Sequence, residues 1–348
     1  MERRAVLKAA AALGLVGAWG PLTGCTRDSA PEAKSALSVD DLPELQGDLT
    51  VYLGRGEGGL YHHIVDAIRE RNPKLNLSVR RAGSASLANT LVQEAEAGEP
   101  RADLFWSIDM SSLGMVAERG LASDIPEELQ QLVKANFRYP QLAPISGRVR
   151  TLAYNTERLS PADIPDDIMA LADSDLTVGW APAYGAFQSF VTAMRLLEGE
   201  AATKEWLRAL KPRATEYAGE LGAVMGAERG EVDISFANHY YTLRLKEGKP
   251  DANVAITFTR GDAGVLMNTS GVAVLHPSQT AHDFVRYLLS KEVQEYLAKE
   301  AYEIPLVPDV QTPAALPSLD QLQPPELDLT RLADIQPTLS LMREVGLL

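Results

Sequence analysis

Between residues 49 and 119 the chain alternates short apolar strand patterns with amphipathic helix patterns, and few folds accommodate that alternation. The spacing predicts a strand over 49–53, a glycine-rich turn, and a helix with Ile64, Ala67 and Ile68 on one face. Asn72-Pro73 stops that helix, because proline cannot continue it and biases the residue before it towards extended backbone. A strand over 75–79, a helix over 87–97, a strand over 103–106 and a helix over 111–119 follow. Strand–helix repeats of this kind imply an α/β architecture with parallel pairing. A second set has strands over 149–154, 176–180, 232–236 and 270–275. Helices over 186–198, 202–210, 221–229, 281–289 and 291–300 lie between and after them. From Ile304 the chain is proline-rich and reads as an extended strap ending in a short helix over 339–345. At 348 residues there is enough chain for about two domains.

The first 25 residues are an address rather than part of the fold. A basic start (Arg3, Arg4, Lys8) precedes an apolar run over 9–19, too short for a membrane-spanning helix of about 20 residues but shaped like a secretory signal. Arg3-Arg4-Ala5-Val6-Leu7-Lys8 resembles the twin-arginine export motif. Leu22-Thr23-Gly24-Cys25 resembles a lipobox, in which Cys25 is lipidated and becomes the mature N-terminus. Cys25 is the sole cysteine, so the chain has no internal disulfide and no cysteine-rich zinc site. Residues 1–24 then form the signal, and 25–47 a polar, lipidated tether. The formal net charge is −14, and removing a signal of net +2 takes it to −16. Such an acidic chain has no global electrostatic case for nucleic acid or anionic lipid.

Several residue groups carry possible chemistry. Gly54-Arg55-Gly56-Glu57-Gly58-Gly59 fits G-x-G-x-x-G between a strand and a helix, with Arg80 and Arg81 placed for a 2′-phosphate, so an exported NADP-binding enzyme is one reading. A tight glycine turn is the simpler one. Tyr240-Tyr241 follows an apolar strand. In a continuing strand the two would face opposite ways, but at a strand-to-helix turn both hydroxyls can converge on one cleft and offer phenolate oxygen to a hard cation such as Fe(III). On spacing alone, two packed core tyrosines account for the pair more simply. Tyr184-Gly185-Ala186 lies between a strand and a helix, where backbone N–H groups favour anions. Arg148 and Arg150, two apart on a strand, share a face and can hold an oxyanion. His62 and His63 diverge by about 100° on a helix and read as surface residues. No G-x-S-x-G, H-E-x-x-H or P-loop occurs, so nothing in the sequence asks for an enzyme.

Six segments in order resemble the ferric-iron-binding proteins of ABC importers, the iron branch of the periplasmic binding protein superfamily. They are 51–55, 102–109, 147–155, 230–241 (ending Asn238-His239-Tyr240-Tyr241), 268–272 and 302–308 (Tyr302-Glu303-Ile304-Pro305-Leu306-Val307-Pro308). The resemblance implies a type II two-lobe α/β fold, each lobe a mixed sheet flanked by helices, with the ligand cleft at the hinge. Lobe 1 would comprise 48–149 plus 268–310, lobe 2 would comprise 150–267, and 311–348 would be the strap and short helix. It also implies that Tyr240 and Tyr241 coordinate Fe(III), with Tyr184 as a third phenolate. Arg148, Arg150, Asn238, Gly185 and Ala186 would hold a carbonate or other synergistic anion.

This sequence departs from the family pattern at two places. Where many members carry a histidine after the first strand, Arg55 is followed by Gly56 and Glu57, and Glu57 is the nearest oxygen donor. Within Thr215-Glu216-Tyr217-Ala218-Gly219-Glu220, Glu220 stands where asparagine is frequent and would repel a companion anion or replace it. Arg55, Tyr217 and Glu220 are accordingly expected at the cleft. The implied protein is a monomeric, lipid-anchored receptor on the extracytoplasmic face, handing iron to an importer permease and its ATPase. The alternative is the same fold and transport role with an oxyanion, polyamine, thiamine or iron chelate as ligand.

Overall fold

The computed structural model describes residues 34–54 and 60–348. The signal sequence, Cys25, Arg55 and Glu57 lie outside the described residues. Much of the expected tether proves to be part of the body. Leu42 and Leu45 are buried, Leu45 N–H donates to Asn72 Oδ1 at 2.7 Å, and Ser38 Oγ donates to Glu292 at 2.7 Å. The apolar side chains at 42 and 45 are what the polar composition of the segment obscured.

Strand β1 (Gly47–Gly54) pairs in parallel with β2 (Leu75–Ala82) and β3 (Leu104–Ser107). Helices α1 (Leu60–Arg71) and α2 (Ser84–Glu96) make the crossovers. Helix α1 ends where Asn72 turns back, its amide donating to Ile68 O at 2.7 Å before Pro73. Helix α3 (Met110–Glu118) is N-capped by Asp109, which accepts from Ser112 N–H at 2.8 Å. A short helix, α4 (Glu127–Gln130), leads to β4 (Ala143–Asn155).

Strand β4 organises the molecule. From Ala143 to Val149 it pairs antiparallel with β9 (Met267–Val274), which continues the first sheet next to β3. From Arg150 onward it pairs antiparallel with β7 (Ile234–Asn238) and with β8 (Val254–Thr257). Strand β5 (Val178–Trp180) pairs in parallel with β7 and with β6 (Ala214–Glu216). The order β2-β1-β3-β9-β4-β7-β5-β6 is therefore two mixed half-sheets sharing one strand, with the change of partner between Val149 and Arg150. Strand β10 (Ile304–Pro305) adds to β4 on the first half.

Around the second half-sheet lie α5 (Gly185–Glu198), α6 (Glu200–Leu210), α7 (Glu220–Glu228) and α8 (His239–Gly248). Helices α9 (Gln279–Leu288) and α10 (Lys291–Glu300) cover the first. Its core stacks Tyr61 on Trp106 at 4.6 Å; the other core interlocks Phe187, Phe190, Trp206 and Phe236. Each such buried aromatic supplies several kcal/mol, ~3–5 when truncated to alanine.

The strap touches both halves. After α11 (Leu319–Leu322), a turn at Leu329–Ala333 packs on α3 so closely that a Cβ at Gly114 would lie 2.6 Å from Thr330 O. Helix α12 (Ile335–Glu344) begins four residues before its expected start. It is tied to α5 by Thr192–Thr338 hydroxyls at 2.9 Å and by Arg195 donating to Asp334 O at 2.9 Å.

Candidate functional site

Strand β7 is buried at all five residues and runs into α8 without a loop. Asn238 remains extended and His239 is already helical, so the tyrosine pair falls in the first helical turn. This is the strand-to-helix turn at which adjacent side chains can converge. The rings of Tyr240 and Tyr241 lie 4.6 Å apart. Tyr184, the residue before α5, places its hydroxyl 2.8 Å from that of Tyr241, and Asn238 Nδ2 donates to the Tyr240 hydroxyl at 3.3 Å. Three phenols from two helix starts thus share one wall.

They border a cleft of about 370 Å3 between the two half-sheets. Tyr184, Gly185, Ala186, Asn238 and Tyr240 line it, while Tyr241 reaches it through the Tyr184 hydroxyl. Nothing crowds the position a Gly185 side chain would take, so the first turn of α5 presents open backbone. Arg148 and Arg150 line the cleft from β4 on either side of the partner change. Each keeps one buried Nη2 without a hydrogen-bond partner among the described residues. Burial alone would depress the Arg148 guanidinium, but Tyr240, Tyr61, Glu303 and Asp109 around it push its pKa up instead.

Glu220 sits behind this wall. Its side chain is 0% exposed, accepts from the Arg150 guanidinium and from Asn238 N–H at 2.9 Å, and does not line the cleft. The fold thus sets Glu220 off the cleft, contrary to expectation, as the partner of Arg150. Tyr217 is not at the cleft, contrary to expectation. Its ring covers Gly226 and Gly179 and its hydroxyl donates to Glu231 at 2.9 Å; burial first, and then that carboxylate, push its pKa up to about 12. Tyr217 instead packs along α7, where Gly222 and Gly226 leave room for its ring. Cys25, Arg55 and Glu57 lie outside the described residues. His62 is half-buried beside Asp66 and His63 is exposed, 3.0 Å from the Tyr296 hydroxyl, as their helical divergence implies. Arg80 is engaged by the Tyr52 hydroxyl at 3.2 Å and by Glu94.

The opposite wall was not nominated from the sequence. Tyr61 donates to both Glu303 oxygens at 2.9 and 3.0 Å, Ser146 also donates to Glu303, and both Tyr61 and Glu303 line the cleft. Burial, more than the Glu303 charge, pushes the Tyr61 phenol far above its usual range, and burial likewise raises the Glu303 carboxyl. Asp109, Asn268 and Arg244 line the cleft as well, as do Ala333 and Ile335 of the strap. Glu303, Asp109 and Asn268 all fall within segments singled out by resemblance, so a signal existed. Nothing in the sequence couples Tyr61 to a partner 242 positions away.

His239 joins the walls. It is fully buried, its Nδ1 accepts from Val149 N–H at 3.1 Å, and its Nε2 donates to Tyr302 O at 2.5 Å. Burial lowers its pKa from 6.5 to about 4, so the ring stays neutral in that tautomer. Among the described residues no group of three or more His, Cys, Asp or Glu side chains is placed to hold a metal.

The family model for bacterial extracellular solute-binding proteins matches residues 57–295. The chain is 30% identical over 313 residues to the major ferric iron-binding protein of Neisseria meningitidis, covering 86% of this chain and 93% of that one. It is 29% identical over 285 residues to the Fe(3+)-binding periplasmic protein of Serratia marcescens, covering 79% and 83%. Iron-bound HitA from Pseudomonas aeruginosa matches in structure with a TM-score of 0.76 at 30% identity, over 86% of this chain and 99% of that one. Two mixed half-sheets sharing a strand, a cleft between them and these matches together establish that the chain belongs to the bacterial extracellular solute-binding proteins, in their ferric-iron-binding branch.

Proposed function

We propose that this protein captures ferric iron in the cleft through the phenolates of Tyr240, Tyr241 and Tyr184 and delivers it to an ABC importer. One observation carries the reading: three tyrosines from two helix starts converge, two of them with hydroxyls 2.8 Å apart. Fe(III) is a hard cation and phenolate a hard oxygen donor. A free phenol has a pKa of about 10, so the ion must displace each proton it replaces. The names of the relatives support the ferric ion as cargo. Carriage is the role that the names of the relatives support.

The signal and Cys25 support export, lipid anchoring and action on the extracytoplasmic face. A permease and its ATPase would complete the importer. Lobe 1 would be 48–149 plus 268–310 and lobe 2 would be 150–267, and the partner change in β4 between Val149 and Arg150 supports that division. To test the function, the purified protein is exposed to ferric citrate, desalted, and assayed for metal. One tightly held iron per chain is expected. Complete loss of iron on desalting, or equal retention by a Tyr240→Phe, Tyr241→Phe double variant, would refute the reading.

A further inference from the structure

The helix that carries the tyrosine pair is held by a turn belonging to the other half. Helix α8 follows β7 of the second half-sheet, yet His239, Leu243 and Glu247, four residues apart and so on one face, all contact the first half. Leu243 is buried in the first-half core, and His239 Nε2 donates to Tyr302 O at 2.5 Å. The Tyr302 hydroxyl is hydrogen-bonded to Glu247, and Arg244 donates to Ala301 O at 3.3 Å. The same turn is tied into the first half through Glu303, which accepts from Tyr61 and Ser146, and through Ile304–Pro305, which pairs with β4.

At the centre of this turn Tyr302 has a φ of 57°. Left-handed backbone is common just past a helix end, but glycine usually takes that place, because a side chain is strained there. Among the described residues Asp309 and Gln323 are the other non-glycine residues with positive φ, and neither is aromatic. A bulky residue keeps such a conformation only where its surroundings enforce it. Here His239 fixes the carbonyl, and the half-buried ring packs both on the first-half core and on the cluster that contains Tyr240 and Tyr241. Glycine would meet the backbone demand without strain but would leave α8 without that ring.

We propose that Tyr302 is a positioning residue for iron capture. Its ring and left-handed backbone seat the first turn of α8 against the first half, so that Tyr240 and Tyr241 stand in place before the ion arrives. The proposal rests on the ferric reading above. Ligands held ready by rigid neighbours need less ordering on binding, so the effect falls on affinity and on the geometry around the bound ion.

The test compares the full chain with Tyr302→Gly, which keeps the backbone conformation and removes the ring, and with Tyr302→Phe, which keeps both. Each protein is loaded with ferric citrate, titrated with a competing chelator and scanned in the visible at saturating iron. Thermal melts of the iron-free proteins check that the variants fold. Tyr302→Gly should lose about 10–100-fold in iron affinity, the scale of losing a group that orients a metal ligand, and its phenolate-to-iron band should shift. Tyr302→Phe should keep the wild-type affinity and band. Wild-type affinity in Tyr302→Gly, weaker binding with an unchanged band, or a Tyr302→Phe as weak as Tyr302→Gly would each overturn the proposal. If Tyr302→Gly does not melt cooperatively, Tyr302→Asn, whose side chain tolerates the left-handed region, is judged by the same outcomes. A wild type that holds no iron at all would instead remove the ferric reading, and this proposal with it.

Discussion

Two tyrosine clusters face each other across the cleft, and they differ in what their hydroxyls touch. On the second half-sheet, the Tyr184 and Tyr241 hydroxyls meet each other and Tyr240 stands alongside. On the first, the hydroxyl of Tyr61 is held by both oxygens of Glu303, and its ring is stacked on Trp106. Tyr61 resists ionisation chiefly because it is buried, and its Glu303 partner adds to that resistance. Phenols that share hydrogen bonds with one another can surrender protons to an arriving cation. On the proposed function, the same residue type is a structural tie on one wall and a ligand set on the other. Arg148 lies between them, close enough to feel both Tyr240 and Tyr61.

The largest expected effect breaks the ligand wall. Tyr241→Phe removes one phenolate and disturbs the partner of Tyr184. Iron affinity should fall by more than the ~10–100-fold that losing a merely supporting group costs, as read by competition with a chelator. Because phenolates compete with protons, wild-type affinity should also fall as pH drops, by about tenfold per pH unit for each proton displaced.

His239, which ties the walls together, yields a pH signature in the metal-free protein. Its pKa is about 4 when folded and 6.5 ordinarily, so between those values the unfolded chain binds a proton that the folded one lacks. Stability should therefore fall as pH drops from 6.5 to about 4, by about 3 kcal/mol in total, and His239 should add no slope above that window. Urea midpoints across the range should show the slope, and His239→Gln should flatten it.

Tyr61→Phe should cost about 2 kcal/mol of stability, the worth of a hydrogen bond to a charged group, while iron capture persists. Equal loss of iron in Tyr61→Phe and Tyr241→Phe would erase the distinction between the walls. The smallest effect concerns the strap that touches both halves. Gly114→Ala should destabilise by about 1 kcal/mol despite alanine's better helix propensity, because the added Cβ meets Thr330 O. A thermal melt would show the sign.

The strand–helix alternation was legible because its determinants are local, as were the helix stop at Asn72-Pro73 and the tyrosine pair at a strand end. Spacing on a strand had already marked Arg148 and Arg150, and resemblance added Asn238; the fold brings all three to the cleft. Resemblance misplaced Tyr217, whose ring packs on Gly226 of α7 and on Gly179 of β5, a contact between separate elements that no local pattern encodes. Glu220 was seen as a departure, but its pairing depends on β4 and α7 meeting across 70 positions, which no local pattern encodes. The pairing of Tyr61 with Glu303, 242 positions apart, escaped notice for the same reason, although Glu303 itself lies in a segment the resemblance covers. The tether was overextended because two leucines, Leu42 and Leu45, decide that it docks.

The most direct test of the account is the visible spectrum of the iron-loaded protein, since phenolate bound to Fe(III) produces a charge-transfer band that other oxygen donors do not. The account predicts a band in the wild type and in Tyr61→Phe, weakened or shifted in Tyr240→Phe, Tyr241→Phe and Tyr184→Phe. A wild type that holds iron without such a band, or a band unchanged in all three of those variants, would contradict it.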